Sequence, residues 1–410
     1  MLEEYSKFYC LQDLLKYHKD EKNLEVNLAS NGLSQQEAKE LGSILQKSQQ
    51  LTNLKLYLSK NSFGDEGTQF IANSLTCIKY LVKLEFYLYA NNITFQGAAK
   101  IGVELTMCKN LTSLYLDLSY NKINDDGSCS LGKGIENCKN INELMVNLKF
   151  NNISSFGVNQ FGKNLSKIQN MESLKLILSQ NNIDHSCNLG DSLSNLNKLK
   201  TLSLDLSKNN LGDVGSSNLS ENLSKSHSIE SLTLNLSLNH IGVSGASQIF
   251  GSLSNFEKLN KLDLQLRENN ISKIDSTLGQ SLSKCANLTK FSLDLNQNSF
   301  GAEDVFFLGN AFKQKEIKTL TLELKNNPIN SHEVTQLGLG LANCRNILNL
   351  TLFLNQSSQN LDFANLVNDL SKCAHFNSLQ LYLSFYKVSS NVRQKFLRKS
   401  IRLVNLDVQL

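Results

Sequence analysis

Leucine and other apolar residues recur along this chain two residues apart, in short blocks that return about every 30 residues. In "LTSLYLDLSYNKINDDG", residues 111–127, Leu114, Leu116 and Leu118 alternate with Tyr115, Asp117 and Ser119, and Asn121 and Ile123 follow. Period-two alternation marks a strand with one buried face. The first residue of each block falls at Leu24, Leu54, Leu84, Leu114, Leu144, Leu174, Leu202, Leu232, Leu262, Phe291, Leu320, Leu350, Leu379 and Leu406, at intervals of 27 to 30 residues. Helical spacing fills the gaps. Ile71 and Leu75, Ile101 and Leu105, Phe161 and Leu165, and Leu337 and Leu341 are four apart, on one helical face. A glycine often follows the first member, as at Gly42, Gly102, Gly132, Gly162, Gly279, Gly309 and Gly338. Gly inside a helix costs about 1 kcal/mol relative to Ala, so its recurrence predicts close approach of a neighbouring helix.

The alternation of strand and helix predicts stacked repeats from residue 24 to residue 410, preceded by an N-terminal helical cap over residues 1–23. In that cap Tyr5, Phe8, Leu11, Leu14 and Leu15 lie at helical spacing. Paired strands sit about 4.8 Å apart and packed helices about 8–10 Å apart, so strands should line the inside of a curve and helices the outside. Asn recurs where each strand ends, at 31, 61, 91, 121, 151, 181, 209, 239, 269, 298 and 327. Its side chain can satisfy backbone groups stranded in a buried turn. The next two equivalents are Ser357 and Tyr386, where a ladder of such residues should lapse.

The unit "LTSLYLDLSYNKI", or L-x-x-L-x-L-x-L-x-x-N-x-I, resembles the leucine-rich repeat family, in its ribonuclease-inhibitor-like branch with one helix per repeat. The family's usual core is L-x-x-L-x-L-x-x-N-x-L, so this chain carries an extra x-L dyad. An added pair keeps the strand's two faces in phase. It either lengthens the strand or is absorbed as a bulge. The resemblance implies an α/β leucine-rich-repeat solenoid, a horseshoe with a parallel concave sheet of about 14 strands and helices on the convex side. It also implies an asparagine ladder between repeats and a non-enzymatic, protein-binding role.

Composition narrows the function. Lys and Arg total 41 against 37 Asp and Glu, a net charge of +4 that is too mild for an electrostatic nucleic-acid binder. No apolar run reaches the roughly 18–20 residues of a membrane span. The N-terminus lacks a basic segment followed by an apolar one, which predicts an intracellular, reducing compartment: the cytoplasm, or there the cytoskeleton or a cilium. Nine cysteines are an odd number, and Cys108, Cys138, Cys285, Cys344 and Cys373 all lie three residues before a repeat anchor, which reads as packing. There is no GxxxxGK[ST], GxGxxG, GxSxG or HExxH motif. The six histidines are scattered, and Asp125 and Asp126 before Gly127 read as a helix N-terminus. No catalytic residue, metal or cofactor is expected.

The outward-facing strand positions carry the remaining information. Tyr57, Tyr87, Tyr89, Tyr115 and Tyr120 are five of the eleven tyrosines, and all fall on one predicted face. Phe150, Met145 and Ile177 extend it, while farther on the same positions turn polar, with Ser203, Thr233, Asp263 and Ser292. Clustered exposed aromatics mark interfaces. The chain ends on Leu406, Val408 and Leu410 after a basic stretch, Lys387, Arg393, Lys395, Arg398, Lys399 and Arg402, without an acid. An unpaired strand edge invites another chain, so this end is expected to be covered by a partner or a second copy. The expected function is a protein–protein interaction scaffold that binds a partner on its concave face. The alternatives are a structural subunit of a large cytoskeletal or ciliary assembly, and a regulator or inhibitor of an enzyme or GTPase.

Overall fold

The computed structural model describes residues 5–14, 21–299, 301–313, 316–354 and 363–383. The chain divides into two compact units, Met1–Asn209 and Asn210–Leu410. In the first, strands and helices alternate: β1 (Ser6–Phe8), α1 (Leu11–Leu14), β2 (Asn23–Asn27), α2 (Gln35–Lys47), β3 (Asn53–Tyr57), α3 (Gly64–Leu75), β4 (Lys83–Tyr87), α4 (Phe95–Leu105), β5 (Ser113–Asp117), α5 (Asn124–Ile135), β6 (Glu143–Asn147), α6 (Ser155–Leu165), β7 (Ser173–Ile177), α7 (Leu189–Ser194) and β8 (Thr201–Asp205). Its eight strands pair in parallel and in chain order. The second unit runs α8 (Gly212–Leu223), β9 (Ser231–Asn235), α9 (Val243–Ser252), β10 (Lys261–Gln265), α10 (Thr277–Lys284), β11 (Lys290–Asp294), α11 (Ala302–Ala311), β12 (Thr319–Glu323), α12 (Ser331–Ala342), β13 (Asn349–Leu354), α13 (Ala364–Ser371) and β14 (Ser378–Leu383). Its six strands pair in the same way.

The expected strands from Leu24 to Leu379 are β2 to β14. The block at Leu406 lies outside the described residues, as do Ser357 and Tyr386. The N-terminal segment departs from the expected helix. Ser6–Phe8 form β1, pairing in parallel with Leu24–Val26, and among the described residues of this segment the helix is Leu11–Leu14. Backbone hydrogen bonds to the open edge of β2 outweigh the helical spacing of a short, isolated segment.

Burial follows the alternation. Leu114, Leu116 and Leu118 are buried and Tyr115 and Asp117 half-buried, and the other strands repeat the pattern. Each such leucine contributes about 1.5–3 kcal/mol through apolar burial. The extra dyad lengthens the paired segment. Register is residue for residue, and hydrogen bonding continues beyond β5, with the Leu118 N–H donating to Asn147 O at 2.9 Å and the Tyr120 N–H to Lys149 O at 2.8 Å. No residue is skipped, so the bulge alternative falls.

At the end of the ladder each asparagine ties two repeats together. Asn121 Oδ1 accepts from the N–H groups of Asn91 and Ile93, both at 3.0 Å. Its Nδ2 donates to Leu88 O and Leu118 O at 3.0 and 2.9 Å. Asn61, Asn181, Asn209 and Asn269 repeat the scheme. Buried backbone groups of the turn are thereby satisfied.

A second regularity spans pairs of repeats. In alternate turns the helix is opened by a hydroxyl cap, at Ser34, Thr94 and Ser154. In the turns between, the chain takes a left-handed residue, Gly64 (φ +61°) or Asn124 (φ +56°), and then an aspartate. Asp65 accepts from the Thr94 N–H at 2.7 Å and hydroxyl at 2.5 Å, and from the Gly97 N–H at 3.0 Å. Asp125, expected at a helix N-terminus, stands at that of α5 and also serves the next helix, α6, through Ser154. Asp213 accepts from the Gly242 N–H at 2.6 Å in the second unit.

The recurrent helix glycines sit where neighbours touch. A Cβ on Gly102 would stand 2.6 Å from Ser130 O of the adjoining helix. The repeated cysteines pack as expected, with Cys138 Sγ 3.2 Å from Leu105 O and Cys285 Sγ 3.3 Å from Leu253 O. No disulfide joins any of the nine. Burial pushes the Cys108 thiol up to about 12 and the Cys138 thiol up to about 11.

Candidate functional site

Outward positions on β3, β4 and β5 form a ring stack. Strand register sets Tyr57 beside Tyr87, and their rings lie 4.5 Å apart at 12°. Tyr115 stands one dyad earlier on the next strand and reaches back to Tyr87 at 4.6 Å and 36°. A second row runs through the turns beyond the strands. Tyr89 meets Tyr120 edge-on at 5.2 Å and 71°, and Tyr120 stacks on Phe150 at 5.0 Å and 24°. Met145 pairs in register with Tyr115 and so borders the first row, whereas Ile177 pairs with Asn147 and meets neither row in register.

The second row is held on unfavourable backbone. Tyr120 and Phe150 occupy the left-handed region at φ +55° and +54°, where bulky side chains are rare. Ser, Lys, Ala, Gln, Leu, Glu and Asn occupy the same turn position elsewhere, and Tyr120 and Phe150 are its two aromatics among the described residues. The two aromatics are nonetheless exposed, Tyr120 by 38% and Phe150 by 53%. Beside Phe150 lies an open cavity of about 540 Å³, lined by Asn121, Lys122, Asn124, Asn152, Gln180 and Asn182. Asn182 donates to Asn152 Oδ1 at 2.6 Å, and Tyr120 OH to Gln180 Oε1 at 3.4 Å.

Charges surround both rows. Lys55 pairs with Glu85 at 2.9 Å and lies 4.8 Å over the Tyr5 ring. Tyr87 OH donates to Glu85 Oε2 at 3.0 Å. Lys60 lies over Tyr89 at 5.7 Å and Lys149 over Tyr120 at 5.5 Å. Burial, followed by the Glu85 carboxylate, raises the phenol pKa of Tyr57 and Tyr87. Burial and then Asp117 raise that of Tyr115. All three phenols therefore stay protonated at neutral pH.

The polar outward positions have a local explanation that the alternation alone did not reveal. Asp117, Asn147, Asp205, Asn235 and Asp294 each accept from the backbone N–H two residues on, at 2.9–3.1 Å. The recurrent acid-or-amide followed by Leu, and in three of the five by Ser, is the legible signal of that turn. Tyr57 and Tyr87 stand where this turn-forming residue would otherwise be. In the second unit the same positions gather acids. Burial, with Glu323 and Asp263 close by, pushes Asp294 up to about 6. Phe353 and Tyr382 stack at 4.2 Å and 9°, with Lys325 4.6 Å over Phe353.

The basic stretch Lys387, Arg393, Lys395, Arg398, Lys399 and Arg402 lies outside the described residues. Among the described residues, no group of three His, Cys, Asp or Glu could hold a metal ion, and no helix is long and apolar enough to cross a membrane.

A family model described as "Leucine Rich repeat" matches residues 108–127, 198–220 and 230–250. The crystal structure of an internalin from Listeria monocytogenes is similar over 80% of this chain and 79% of that one, at 20% identity and a TM-score of 0.44. Comparison with curated proteins finds no match. The matched segments carry the same leucine and asparagine positions that recur through both units. Parallel strands in chain order, a returning helix in each repeat and an asparagine ladder at the strand ends carry the same repeat through both units, so the chain has a leucine-rich-repeat fold.

Proposed function

We propose that this protein is a non-enzymatic scaffold that holds a protein partner on the outward strand face of its first unit, centred on Tyr57, Tyr87, Tyr89, Tyr115, Tyr120 and Phe150. Leucine-rich repeat proteins are generally protein-interaction scaffolds. The observation that carries the location is the exposure of Tyr120 and Phe150 on left-handed backbone. A solvent-facing Phe in that conformation costs roughly 1 kcal/mol or more, which its stacking on Tyr120 does no more than offset. Clustered tyrosine suits an interface, since two χ angles hold a large amphipathic surface at low entropic cost.

The test is photo-crosslinking in native extract with a photoreactive side chain placed singly at 150, 115 or 292. The reading predicts one shared adduct from 150 and 115 and none from 292. Equal adducts from all three positions, or adducts from 292 alone, would remove the localisation.

A further inference from the structure

The chemistry of the partner can be read from what surrounds the rings. Tyr87 has Tyr57 on one side and Tyr115 on the other, and Tyr120 lies between Tyr89 and Phe150. A ring flanked on both sides presents its edge outward, and that edge is the positive part of the aromatic quadrupole. The hydroxyls of Tyr87 and Tyr120 are already spent on Glu85 and Gln180, which leaves the ring edges to face a partner. Five lysines stand on the same face or its rim: Lys60, Lys122, Lys149, Lys175 and Lys208, of which Lys60 and Lys149 rest on ring faces. None of the five makes an ion pair among the described residues, whereas the acids of the face are engaged. Glu25 pairs with Lys7, Glu85 with Lys55, and Asp117 and Asp205 accept from their own turns. Ring edges and ammonium groups without an ion-pair partner among the described residues are both complementary to carboxylates.

Resting on the reading of this face as a protein-binding surface, we propose that its partner is an acidic polypeptide segment. Its carboxylates meet Lys60, Lys149 and Lys122, and an apolar side chain rests against Phe150 at the mouth of the amide-lined cavity. Tyr87, flanked on both faces, offers no open ring to a stacked nucleobase, and the lysines over Tyr89 and Tyr120 occupy faces there, which favours an acidic segment over a nucleobase.

The test uses the full chain. A random-peptide phage library is selected on it, with clones that also bind Phe150→Asn removed. An enriched peptide is then titrated by fluorescence anisotropy. Circular dichroism verifies that each variant is folded. The proposal expects enriched peptides with more Asp and Glu than Lys and Arg and with an aromatic residue or leucine. It also expects affinity to fall at least about tenfold between about 50 and about 300 mM NaCl. A Lys60→Glu/Lys149→Glu double variant should bind more weakly still, and Lys60→Met/Lys149→Met, which keeps the ring contacts, should fall between. Enriched peptides that are neutral or basic and insensitive to salt would overturn the acidic assignment while leaving a protein-binding face. Tighter binding of a random single-stranded oligonucleotide would overturn the polypeptide assignment. If no clone depends on Phe150, the reading of the face itself fails.

Discussion

Asp125 reaches across to the next repeat and closes the cap of α6: its carboxylate accepts the Ser154 N–H at 2.7 Å and the Ser154 hydroxyl at 2.6 Å. The contact satisfies a helix N-terminal donor and ties adjacent repeats at once. Asp125→Ala should cost roughly 1–3 kcal/mol, visible as a lowered urea midpoint. An unchanged midpoint would mean that solvent replaces the carboxylate without loss.

Gly102 should respond against its helix propensity. Ala is the better helix former by roughly 1 kcal/mol, yet a Cβ here would lie 2.6 Å from Ser130 O and 3.1 Å from Leu131 Cα. Both atoms are backbone and cannot swing aside. Gly102→Ala is expected to destabilise by about 1–3 kcal/mol. A thermal melt that rises would show that the two helices part without cost.

Phe150→Asn separates folding from binding. Asn tolerates the left-handed backbone better than Phe, which offsets the lost stacking on Tyr120. Stability should therefore change by less than about 1 kcal/mol, while affinity for the partner falls by about 2 kcal/mol or more. Chemical denaturation and a binding titration together check this. A large loss of stability would make Phe150 a structural residue.

Asp294 sets a pH dependence. Its carboxyl is held up to about 6 by burial and by Glu323 and Asp263, above its value in an unfolded chain. The folded protein therefore binds the proton more tightly. The stabilising contribution is fully present below about pH 4 and is lost as pH rises to about 6. Asp294→Asn can keep the accepted Asn296 N–H bond and should gain on the order of 1 kcal/mol at pH 7, a value reduced because solvent reaches the partly exposed carboxyl. Urea midpoints across pH 4–7 should lose this slope in the variant. An identical slope would place the proton elsewhere.

The fold was legible where side chains report on the backbone directly. Leu114, Leu116 and Leu118 alternate because one face is buried, and Asn121 recurs because the turn needs its amide. β1 was not legible, because Ser6–Phe8 pair through backbone groups that no side-chain pattern reports. The outward tyrosines were legible as a face, but not as two rows. The meeting of Tyr115 with Tyr87 depends on the lean of side chains across strands, and that of Tyr120 with Phe150 on a left-handed turn. The lysines over the rings escaped for the same reason: flexible stems can place an ammonium group in many spots.

The alternation of hydroxyl caps and aspartate turns also bears on how such an array tolerates deletion and duplication. Excising one period from the first unit, such as residues 92–121, would set the turn of Asp65 directly before that of Asp125. Asn124 would then stand where Thr94 stood, leaving the Asp65 carboxylate without the hydroxyl donor of Thr94 and bringing Asp125 into the place of Phe95. Excising residues 62–121 instead would bring Ser34, Asp125 and Ser154 into the original sequence of caps. The heritable module here is the couple of repeats, so that shortening or lengthening by about 60 residues preserves each junction, whereas a change of about 30 creates a faulty one.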